Sequence, residues 1–437
     1  MKPKLGREIW GMKAFFLIDS PLAGEIAYSV ADQLSQESKR CQIIAFLMKP
    51  DDFHEKFQPT LDKLTQASNI TVASEKDYPK CGRVKILRTI KPDIYITTGD
   101  ADFVIAAKHL NLPTLRIPLG ITGEFPFNWR NLKVVASLFT KFSRIPNEYS
   151  RIWETLGETG QNPLHRSYFI FKHLWIRFRR KYRIQCDKVA VSGDFTRELF
   201  IKQGKPPDEI VVTGLPRLDS LASESSTKDE FTLQLELLKR DKKIVLYLPD
   251  VAAKHKMVSY KAELDTTCQV INSCQEFPEV LLVIKPHPGE APEFYSSIVS
   301  NLKSDALVYK GVNLHDLIRT SDVVITGISG TGLETLALHR PLININLHTR
   351  GGYFPYKWEL IPYISSGVAF GVHHLEELSG IIKTALYNNE EREKLMARSS
   401  DFVYQHLYKL DGKASERVAD LILEMTNGRS EGTTHHV

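Results

Sequence analysis

Short apolar runs alternate with helical patterns along most of this chain. Runs of about four to eight apolar residues, bounded by polar or turn-forming residues, are typical of buried strands, and the segments between them place apolar residues at helical spacing. This alternation predicts an α/β fold with parallel sheets built from strand, helix, strand units. The strands predicted in the first half are Ala14–Ile18, Gln42–Leu47, Ile70–Val72, Asp93–Thr97, Thr114–Ile117, Val189–Val191 and Ile210–Val212.

The second half repeats this rhythm after a polar interruption. Between Ser220 and Lys243 the chain is rich in small and charged residues, as expected for a linker followed by a surface helix. Strand-like runs then resume in KIVLYLP, EVLLVIKPHPGE, ALVYKG and DVVITGISGTG. We therefore predict two domains, at 1–225 and 240–426, and a disordered polar tail at 427–437.

Composition adds size, charge and compartment to this picture. The 437 residues exceed what one hydrophobic core usually supports, and the net charge of +5 suits an anionic ligand without requiring a nucleic acid. Five cysteines form no CxxC pair, so we expect reduced thiols in a cytoplasmic protein. No apolar run reaches about 18 residues, and Asp19 and Glu25 interrupt the first one, so we expect neither a transmembrane helix nor a secretory signal.

The stretch VVITGISGTGLETLAL contains a glycine-rich turn between a predicted strand and a predicted helix. Small residues let a ligand approach the backbone, and a helix N-terminus presents amides and a positive dipole end to a phosphate. An alternative is a capping box, because Thr331 and Glu334 have the T-x-x-E spacing. We favour a diphosphate site, whose candidate residues are Gly327, Ser329, Gly330 and Thr331.

A second turn, KPHPGE, follows the predicted strand EVLLVI and is stiffened by two prolines. It places Lys285 and His287 just beyond the carboxyl end of a strand, where open parallel sheets bind ligands. A lysine and a histidine there could neutralise a phosphoryl leaving group, with the histidine as general acid. The alternative is an ordinary loop histidine without a ligand.

Two further sites are ambiguous in the sequence. Arg217, in VVTGLPRLDSL, either pairs with Asp219 or binds a phosphate bidentately. Asp100 and Asp102 have the spacing of a metal-binding pair, but a helix cap at Asp100 is the simpler interpretation. We therefore expect neither a metal nor a cofactor.

The densest positive charge lies in HRSYFIFKHLWIRFRRKYRIQ. Seven Lys or Arg residues and no acid occur between Arg166 and Arg183, and aromatic residues recur at helical spacing on one face of a predicted helix at 165–183. The helix could bury its aromatic face in the core, lie on an anionic membrane, or less plausibly bind RNA. The candidate membrane residues are Trp175, Arg177 and Arg180.

Four motifs in order, VTGLPRLDSL, VIKPHPGE, SDVVITGISGTGLETLAL and LDGKASERVADLI, resemble the second half of bacterial CDP-glycerol glycerophosphotransferases and their relatives in surface-polysaccharide synthesis. The resemblance covers about Val189 to Met425. It implies the GT-B fold: two Rossmann-like domains with an interdomain cleft, the nucleotide diphosphate being held mainly by the C-terminal domain.

The resemblance also implies residue roles. His287 would lie beside the diphosphate, the glycine-rich turn would bind phosphate, and Glu334 would contact the ribose. Asp411, Gly412 and Ser415 would help to close the cleft. One departure concerns the acceptor: the family often has a histidine–glycine pair after a first-domain strand, but the corresponding TLRIPLGITGEF contains no histidine. Glu124 or Asp100 would have to replace it as the base.

Three functional hypotheses follow. The first is a transferase that moves a glycerophosphate or a sugar from a nucleotide diphosphate donor to a hydroxyl of a polysaccharide or lipid-linked polymer. The second is a UDP-N-acetylglucosamine 2-epimerase-like enzyme, and the third a non-catalytic lipid- or polymer-binding protein. For the transferase we expect peripheral contact with the inner face of an anionic membrane and no nucleic-acid partner.

Overall fold

The computed structural model describes most of the chain, in two compact units. Among the described residues, unit 1 contains those between 11 and 222 together with 407–427, and unit 2 contains those between 229 and 406. The described ranges are 11–37, 41–48, 58–79, 81–99, 101–119, 145–178, 186–222, 229–250, 259–287, 290–327, 329–347 and 359–427.

Unit 1 is built on a seven-stranded parallel sheet with the strand order β3-β2-β1-β4-β5-β6-β7. Its central strands are buried on both faces, which explains why they are continuous apolar runs rather than alternating ones. All seven strands predicted for the first half are present. They are β1 (Met12–Ile18), β2 (Cys41–Leu47), β3 (Ile70–Ser74), β4 (Ile94–Thr97), β5 (Thr114–Arg116), β6 (Lys188–Val191) and β7 (Ile210–Val212).

Helices cover both faces of this sheet. On one face, α1 packs over the strands through residues such as Ile26 and Leu34. On the other face, Phe15, Phe46 and Phe103 form an aromatic cluster with ring centroids 5.1–5.7 Å apart. The helices are α1 (Pro21–Glu37), α2 (Gln58–Gln66), α3 (Arg83–Ile90), α4 (Ala101–His109), α5 (Ile145–Glu158), α6 (Pro163–Phe178) and α7 (Asp194–Lys202).

Unit 2 contains a six-stranded parallel sheet with the order β10-β9-β8-β11-β12-β13. Its strands are β8 (Lys243–Leu248), β9 (Val280–Ile284), β10 (Leu307–Val308), β11 (Val323–Thr326), β12 (Leu342–Ile345) and β13 (Phe370–Val372). Its helices are α8 (Glu230–Leu238), α9 (Tyr260–Gln275), α10 (Pro292–Asn301), α11 (Leu314–Thr320), α12 (Thr331–Ala337), α13 (Leu378–Tyr387) and α14 (Asn389–Leu407).

The last helix, α15 (Ala414–Asn427), differs from the sequence prediction, which placed it in the second domain at 240–426. Its apolar face, including Val418 and Ile422, lies in the same hydrophobic cluster as Ile26 of α1, so α15 belongs to unit 1. Chain order misleads here because the amphipathic pattern of a helix shows that one face is buried but not which sheet buries it.

Both sheets have a topological switch point, where successive strands change the direction in which the sheet grows. In unit 1 it lies between β1 and β4, and in unit 2 between β8 and β11. Open α/β sheets bind ligands in the crevice outside the carboxyl ends of such strands. The residues that follow these four strands are therefore candidates for a functional site.

Candidate functional site

The carboxyl edge of the unit 2 sheet brings two of the predicted motifs to one side. The KPHPGE turn follows β9 and the glycine-rich turn follows β11, and both strands pair with β8. Because neighbouring strands lie about 4.8 Å apart, the two turns leave the sheet roughly 10 Å from each other. Asp250, which the sequence analysis did not select, follows β8 between them.

Protein contacts explain the glycine at the start of the glycine-rich turn. A Cβ atom on Gly327 would lie 2.0 Å from Oδ2 of Asp250 and 3.3 Å from the carbonyl oxygen of Ile345. The buried amide of Asn344, on β12, donates to the carbonyl oxygen of Gly327 at 2.7 Å. The turn is therefore held between the ends of β8 and β12 and has a fixed backbone position.

The first amides of α12 are not free, contrary to the sequence prediction. The amide of Thr331 donates to Oγ of Ser329 at 3.2 Å, and the amide of Leu333 donates to the carbonyl oxygen of Gly330 at 3.0 Å. The hydroxyl of Thr331 also donates to Oγ of Ser329, at 2.8 Å. These two bonds occupy the lone pairs of Ser329 and leave its own proton for another acceptor.

The capping box considered as an alternative does not form. Gly330, which has no side chain, is the N-cap residue of α12, and the first amide of the helix bonds Ser329 instead. Glu334 is instead nearly fully buried, and its Oε2 lies 2.9 Å from Nε2 of His315 on α11. The pair fixes the position of a buried carboxylate in the first turn of α12, on the residue to which the resemblance assigns a ribose contact.

A small pocket adjoins the glycine-rich turn. The ring of Tyr363 packs so closely on Gly332 that a Cβ there would lie 2.6 Å from it, and its hydroxyl donates to the carbonyl oxygen of Ser329 at 2.8 Å. Burial raises the pKa of Tyr363, so its phenol stays a donor. The pocket is lined by Gly327, Ser329, Asn344, Asn346, Glu359, Leu360, Ile361 and Tyr363.

The KPHPGE turn presents an exposed histidine from a well-anchored backbone. Oε2 of Glu290 accepts a hydrogen bond from the amide of His287 at 3.3 Å, and the amide of Glu290 donates to the carbonyl oxygen of His287 at 2.8 Å. The same Oε2 accepts from the hydroxyl of the fully buried Tyr295 on α10, at 2.9 Å. Burial raises the pKa of Tyr295, which keeps that donor protonated.

Lysines complete the anchoring of this turn. Nζ of Lys310 donates to the carbonyl oxygen of Glu290 at 2.7 Å, and Nζ of Lys285 donates to the carbonyl oxygen of Lys310 at 3.2 Å. Burial lowers the pKa of Lys285, and the positive charge of Lys310 lowers it further. A half-buried ammonium group in this position would gain from a nearby anion.

Sequence comparison identifies the family to which these motifs belong. A family model described as CDP-Glycerol:Poly(glycerophosphate) glycerophosphotransferase matches residues 168–424, which is more than half of the chain. The chain belongs to this family.

Two relatives match the chain over part of its length. Over 291 residues the chain is 25% identical to the teichoic acid poly(ribitol-phosphate) polymerase of Bacillus spizizenii, a match that covers 63% of this chain and 40% of that protein. Over 162 residues it is 30% identical to a processive diacylglycerol beta-glucosyltransferase of Bacillus cereus, covering 36% and 39% respectively. The chain thus spans about 40% of the length of these relatives.

Solved structures share the fold over nearly the whole chain. The S. aureus MnaA–UDP structure has a TM-score of 0.60 at 14% identity and covers 95% of this chain and 97% of its own. The wall teichoic acid polymerase TagF has a TM-score of 0.52 at 14% identity and covers 96% and 90%. These likenesses show the fold, two Rossmann-like units of the GT-B type.

The first and last motifs of this glycerophosphotransferase family member interlock within unit 1. Both oxygens of Asp219 accept from the first amides of α15, those of Ala414 and Ser415, at 2.8 Å each. A carboxylate there satisfies amides that have no partner within the helix and complements the helix dipole. Arg217 is half-buried in the same 3₁₀ turn, Pro216–Ala222, and a phosphate contact for it stays a prediction.

The residues predicted to close a cleft take part in the same interlock. Arg417 binds Asp411 with two nitrogens at 2.9 and 3.0 Å and donates from Nε to the carbonyl oxygen of Thr213 at 2.7 Å. Gly412 has a φ of 73°, and a Cβ there would lie 3.1 Å from that of Ala222. These contacts hold α15 to unit 1; the cleft-closing role of Asp411, Gly412 and Ser415 stays a prediction.

The basic helix is only partly described. In α6, Phe169 and Ile170 pack on Ile152 and Leu156 of α5, whereas Leu164, Tyr168 and Phe171 are 84%, 61% and 66% exposed. Burial of the aromatic stripe in the core is therefore wrong for Tyr168 and Phe171. The side chains of Trp175 and Arg177, and the whole of Arg180, lie outside the described residues.

Several other predictions also fall outside the description. Asp100 and Glu124, the candidate bases, are not among the described residues. Within the described part of the chain, no group of three or more His, Cys, Asp or Glu side chains could hold a metal ion. Over the same residues, no helix is both long and apolar enough to cross a membrane.

Proposed function

We propose that this protein transfers a glycerophosphate or a sugar from a nucleotide diphosphate donor to a hydroxyl of a teichoic-acid-like or other cell-surface polymer. The observation that carries this proposal is that Lys285 and His287 follow β9 and Ser329 follows β11 at the carboxyl edge of the unit 2 sheet, in a chain of this family. Relatives named as a teichoic acid poly(ribitol-phosphate) polymerase and a processive diacylglycerol beta-glucosyltransferase support the two alternatives, transfer of a polyol phosphate and transfer of a sugar.

Each of these residues has a role in binding the donor. The hydroxyl proton of Ser329 has no acceptor among the described residues and suits a phosphate oxygen, and the half-buried ammonium group of Lys285 supplies positive charge. A ribose contact for Glu334, which is nearly fully buried and paired with His315, stays a prediction. The small pocket beside the glycine-rich turn holds one part of the donor.

The reaction requires stabilisation of the departing nucleotide. As the bond from the transferred group to the nucleotide oxygen breaks, negative charge develops on the leaving phosphate. The imidazole of His287 donates a proton or a hydrogen bond to that oxygen, and Lys285 offsets the charge. The anchored backbone of the KPHPGE turn holds His287 without further reorganisation.

Removal of the imidazole tests this assignment. We expect His287→Ala to lower kcat about 10²- to 10⁴-fold in an assay of CDP-glycerol or UDP-sugar transfer to a polyol-phosphate primer. Donor binding, measured by thermal shift, should change much less. His109→Ala, which removes an exposed histidine at the end of α4, is the matched control. Wild-type turnover in His287→Ala would show that the imidazole has no catalytic role.

Assays with candidate nucleotide donors also distinguish a transferase from an epimerase that has the same fold. A bound nucleotide at 100 times its dissociation constant stabilises the folded protein by about 2.7 kcal/mol, so thermal shifts with CDP-glycerol, CMP, UDP and UDP-sugars identify the donor. Incubation with UDP-N-acetylglucosamine alone then separates the activities, because an epimerase inverts the sugar without any acceptor. Epimerised product under these conditions would exclude the proposed reaction.

We also propose peripheral binding of α6 to the cytoplasmic face of an anionic membrane. Leu164, Tyr168 and Phe171 recur at intervals of four and three residues, so their exposed side chains share one helix face. The segment between Arg166 and Arg183 is strongly basic, and each Lys or Arg near such a surface contributes about 1 kcal/mol. This arrangement suits a helix lying in the lipid headgroup region.

Vesicle sedimentation tests the membrane proposal. We expect the double variant Leu164→Ser and Phe171→Ser to bind phosphatidylglycerol vesicles at least tenfold more weakly than the wild type. Leu237→Ser, which removes a 60% exposed leucine from unit 2, is the control. Equal vesicle binding by the double variant and the control would contradict a role for α6.

A further inference from the structure

The switch point of unit 1 carries a carboxylate that neither the family motifs nor the predicted bases include. Asp19 directly follows β1, and Thr98 directly follows β4, the strand that pairs with β1 across the switch point. Ligands of open α/β sheets bind outside the carboxyl ends of such strands. Asp19 and Thr98 therefore occupy the position in unit 1 that the glycine-rich turn and Asp250 occupy in unit 2.

Hydroxyl groups hold this carboxylate in place. The hydroxyl of Thr98, which is only 6% exposed, donates to both oxygens of Asp19 at 3.0 Å, and the hydroxyl of Ser20 donates to Oδ1 at 3.2 Å. A carboxylate offers about four acceptor positions, so the exposed side chain of Asp19 retains capacity for a further hydroxyl. The carboxylate of Asp19 thus already accepts two hydroxyl protons, those of Thr98 and Ser20.

Helix capping does not account for Asp19. The helix that follows, α1, is capped by Ser20: Oγ of Ser20 accepts from the amide of Ala23 at 3.3 Å, and its carbonyl oxygen accepts from the amide of Gly24 at 3.2 Å. The carboxylate of Asp19 is instead directed across the switch point toward β4.

A cation lies at the same edge. Nε of Arg116, on β5, donates to the carbonyl oxygen of Thr98 at 3.2 Å, which places its guanidinium group beside the residue that holds Asp19. A planar guanidinium group suits phosphate oxygens. The carboxylate can accept a hydrogen bond from a hydroxyl, and the guanidinium group can bind a phosphate. An acceptor chain of polyol phosphate units contains both of these groups.

We propose that Asp19 is the catalytic base that binds the attacking hydroxyl of a polyol-phosphate acceptor and takes its proton. This inference rests on the proposed function. The acceptor oxygen forms a bond to the phosphorus of the transferred glycerophosphate, the bond from that phosphorus to the nucleotide phosphate oxygen breaks, and the nucleoside monophosphate leaves. The hydroxyl proton moves to the carboxylate of Asp19 and from there to solvent. Thr98 is a positioning residue for Asp19.

The absence of a histidine in TLRIPLGITGEF is then not a loss of the base. Asp19 supplies it from the loop after β1 rather than from the loop after β5. Asp19→Asn preserves the size of the side chain and an oxygen that accepts from Thr98, but it cannot take a proton. Asp19→Glu restores the carboxylate with a longer side chain.

The test measures acceptor-dependent release of CMP from CDP-glycerol with a polyol-phosphate primer. We expect Asp19→Asn to lower kcat about 10²- to 10⁴-fold while the donor-induced thermal shift stays within error of the wild type. Asp19→Glu should recover at least tenfold over Asp19→Asn, and Thr98→Val should lower kcat by about fivefold. Asp32→Asn removes an exposed carboxylate from α1 and serves as the matched control.

The outcomes separate this inference from the proposed function. If the wild type transfers no group from any nucleotide donor, the proposed function is wrong and the role of Asp19 falls with it. If the wild type is active and Asp19→Asn stays within twofold of it, only the role of Asp19 is wrong. A loss of activity in Asp19→Asn that is matched by a lower melting temperature and by no recovery in Asp19→Glu would assign Asp19 a structural role instead.

Discussion

The two units share a topology but differ in the chemistry at their switch points. An aspartate follows the first strand at each of them, Asp19 after β1 and Asp250 after β8. Asp250 packs against Gly327, in a turn with a fixed backbone beside a small pocket. Asp19 is exposed, and hydroxyl groups hold it.

The two sheets are alike, so the chemistry of each unit is determined by the residues that follow its strands. In unit 2, Lys285 brings positive charge and Ser329 an available proton, which suit an anionic donor. In unit 1, the carboxylate of Asp19 suits a neutral hydroxyl. Variants of single residues can therefore affect one unit without the other, and four such variants test the comparison.

The largest effect is expected from Gly327→Ala in unit 2. Its methyl group would meet the carboxylate of Asp250 at 2.0 Å and the backbone of Ile345 at 3.3 Å, so the turn must move. We expect a loss of about 2 kcal/mol in the free energy of unfolding, as for other overpacked sites, together with a donor affinity at least tenfold lower. Denaturant titration and donor thermal shifts measure the two quantities.

Two controls show whether the close contact is the cause. Gly380→Ala, in α13, places a methyl group where no atom beyond its chain neighbours and the backbone of its own helix lies within 4 Å, and it should stabilise the protein slightly because alanine favours helix. Asp250→Ala combined with Gly327→Ala should recover part of the stability. If the loss of stability in the double variant equals the sum of the losses in the two single variants, the contact with Asp250 does not explain the glycine.

The next effect is expected in unit 1 from Asp219→Ala. This change removes both acceptors of the first amides of α15 and should cost about 1–2 kcal/mol. Asp229→Ala, which removes the N-cap acceptor of α8 in unit 2, is the matched control. Hydrogen exchange should accelerate in α15 in the first variant and in α8 in the second. If hydrogen exchange accelerated in both helices in each variant, the two units would not respond separately.

The sequence predicted those features of the fold that depend on local pattern. Long buried strands such as β1 and β9 are continuous apolar runs, and each was found with a boundary error of at most a few residues. β12 and β13 were not predicted. In β13, Phe370–Val372, Gly371 interrupts the apolar residues, so this three-residue strand forms no continuous apolar run. The unit to which α15 belongs depends on its partner, α1, and no local pattern contains that information.

The candidate site shows the same limit at the level of side chains. The glycine-rich turn was recognisable because strand, turn and helix are contiguous in the chain. The contacts that fix it come from Asp250, Asn344 and Tyr363, which lie on other segments, and the pairing of Glu334 with His315 replaced the local capping box. Asp19 was noticed only as an interruption of an apolar run, because its partner Thr98 lies on a strand distant in sequence.

A smaller effect is expected from Tyr295→Phe, which separates the anchoring of His287 from its chemistry. Loss of the hydroxyl removes one hydrogen bond to Glu290, and we expect about 1 kcal/mol less stability and a kcat about tenfold lower, with the KM for the donor nearly unchanged. Tyr260→Phe, at a 63% exposed tyrosine, is the control. A raised donor KM with unchanged kcat would show that Tyr295 supports donor binding rather than the position of His287.

The smallest effect on stability, and one of opposite sign, is expected from Lys285→Met. Burial and Lys310 lower the pKa of Lys285 below its ordinary value of 10.5, so the unfolded chain holds this proton more tightly than the folded protein does. At neutral pH both states are protonated, and the buried charge lowers stability. As pH rises through the folded pKa toward 10.5, the folded protein loses the proton first and this cost disappears.

Lys285→Met should therefore be more stable than the wild type at pH 7, and the difference should shrink as the pH approaches 10.5. Its donor affinity should nevertheless fall about tenfold, because a charge-assisted hydrogen bond to phosphate is lost. Lys383→Met, at an exposed lysine of α13, should change neither quantity. A destabilised Lys285→Met that binds the donor normally would mean that the lysine serves the fold of unit 2, which would remove the chemical contrast between the two switch points.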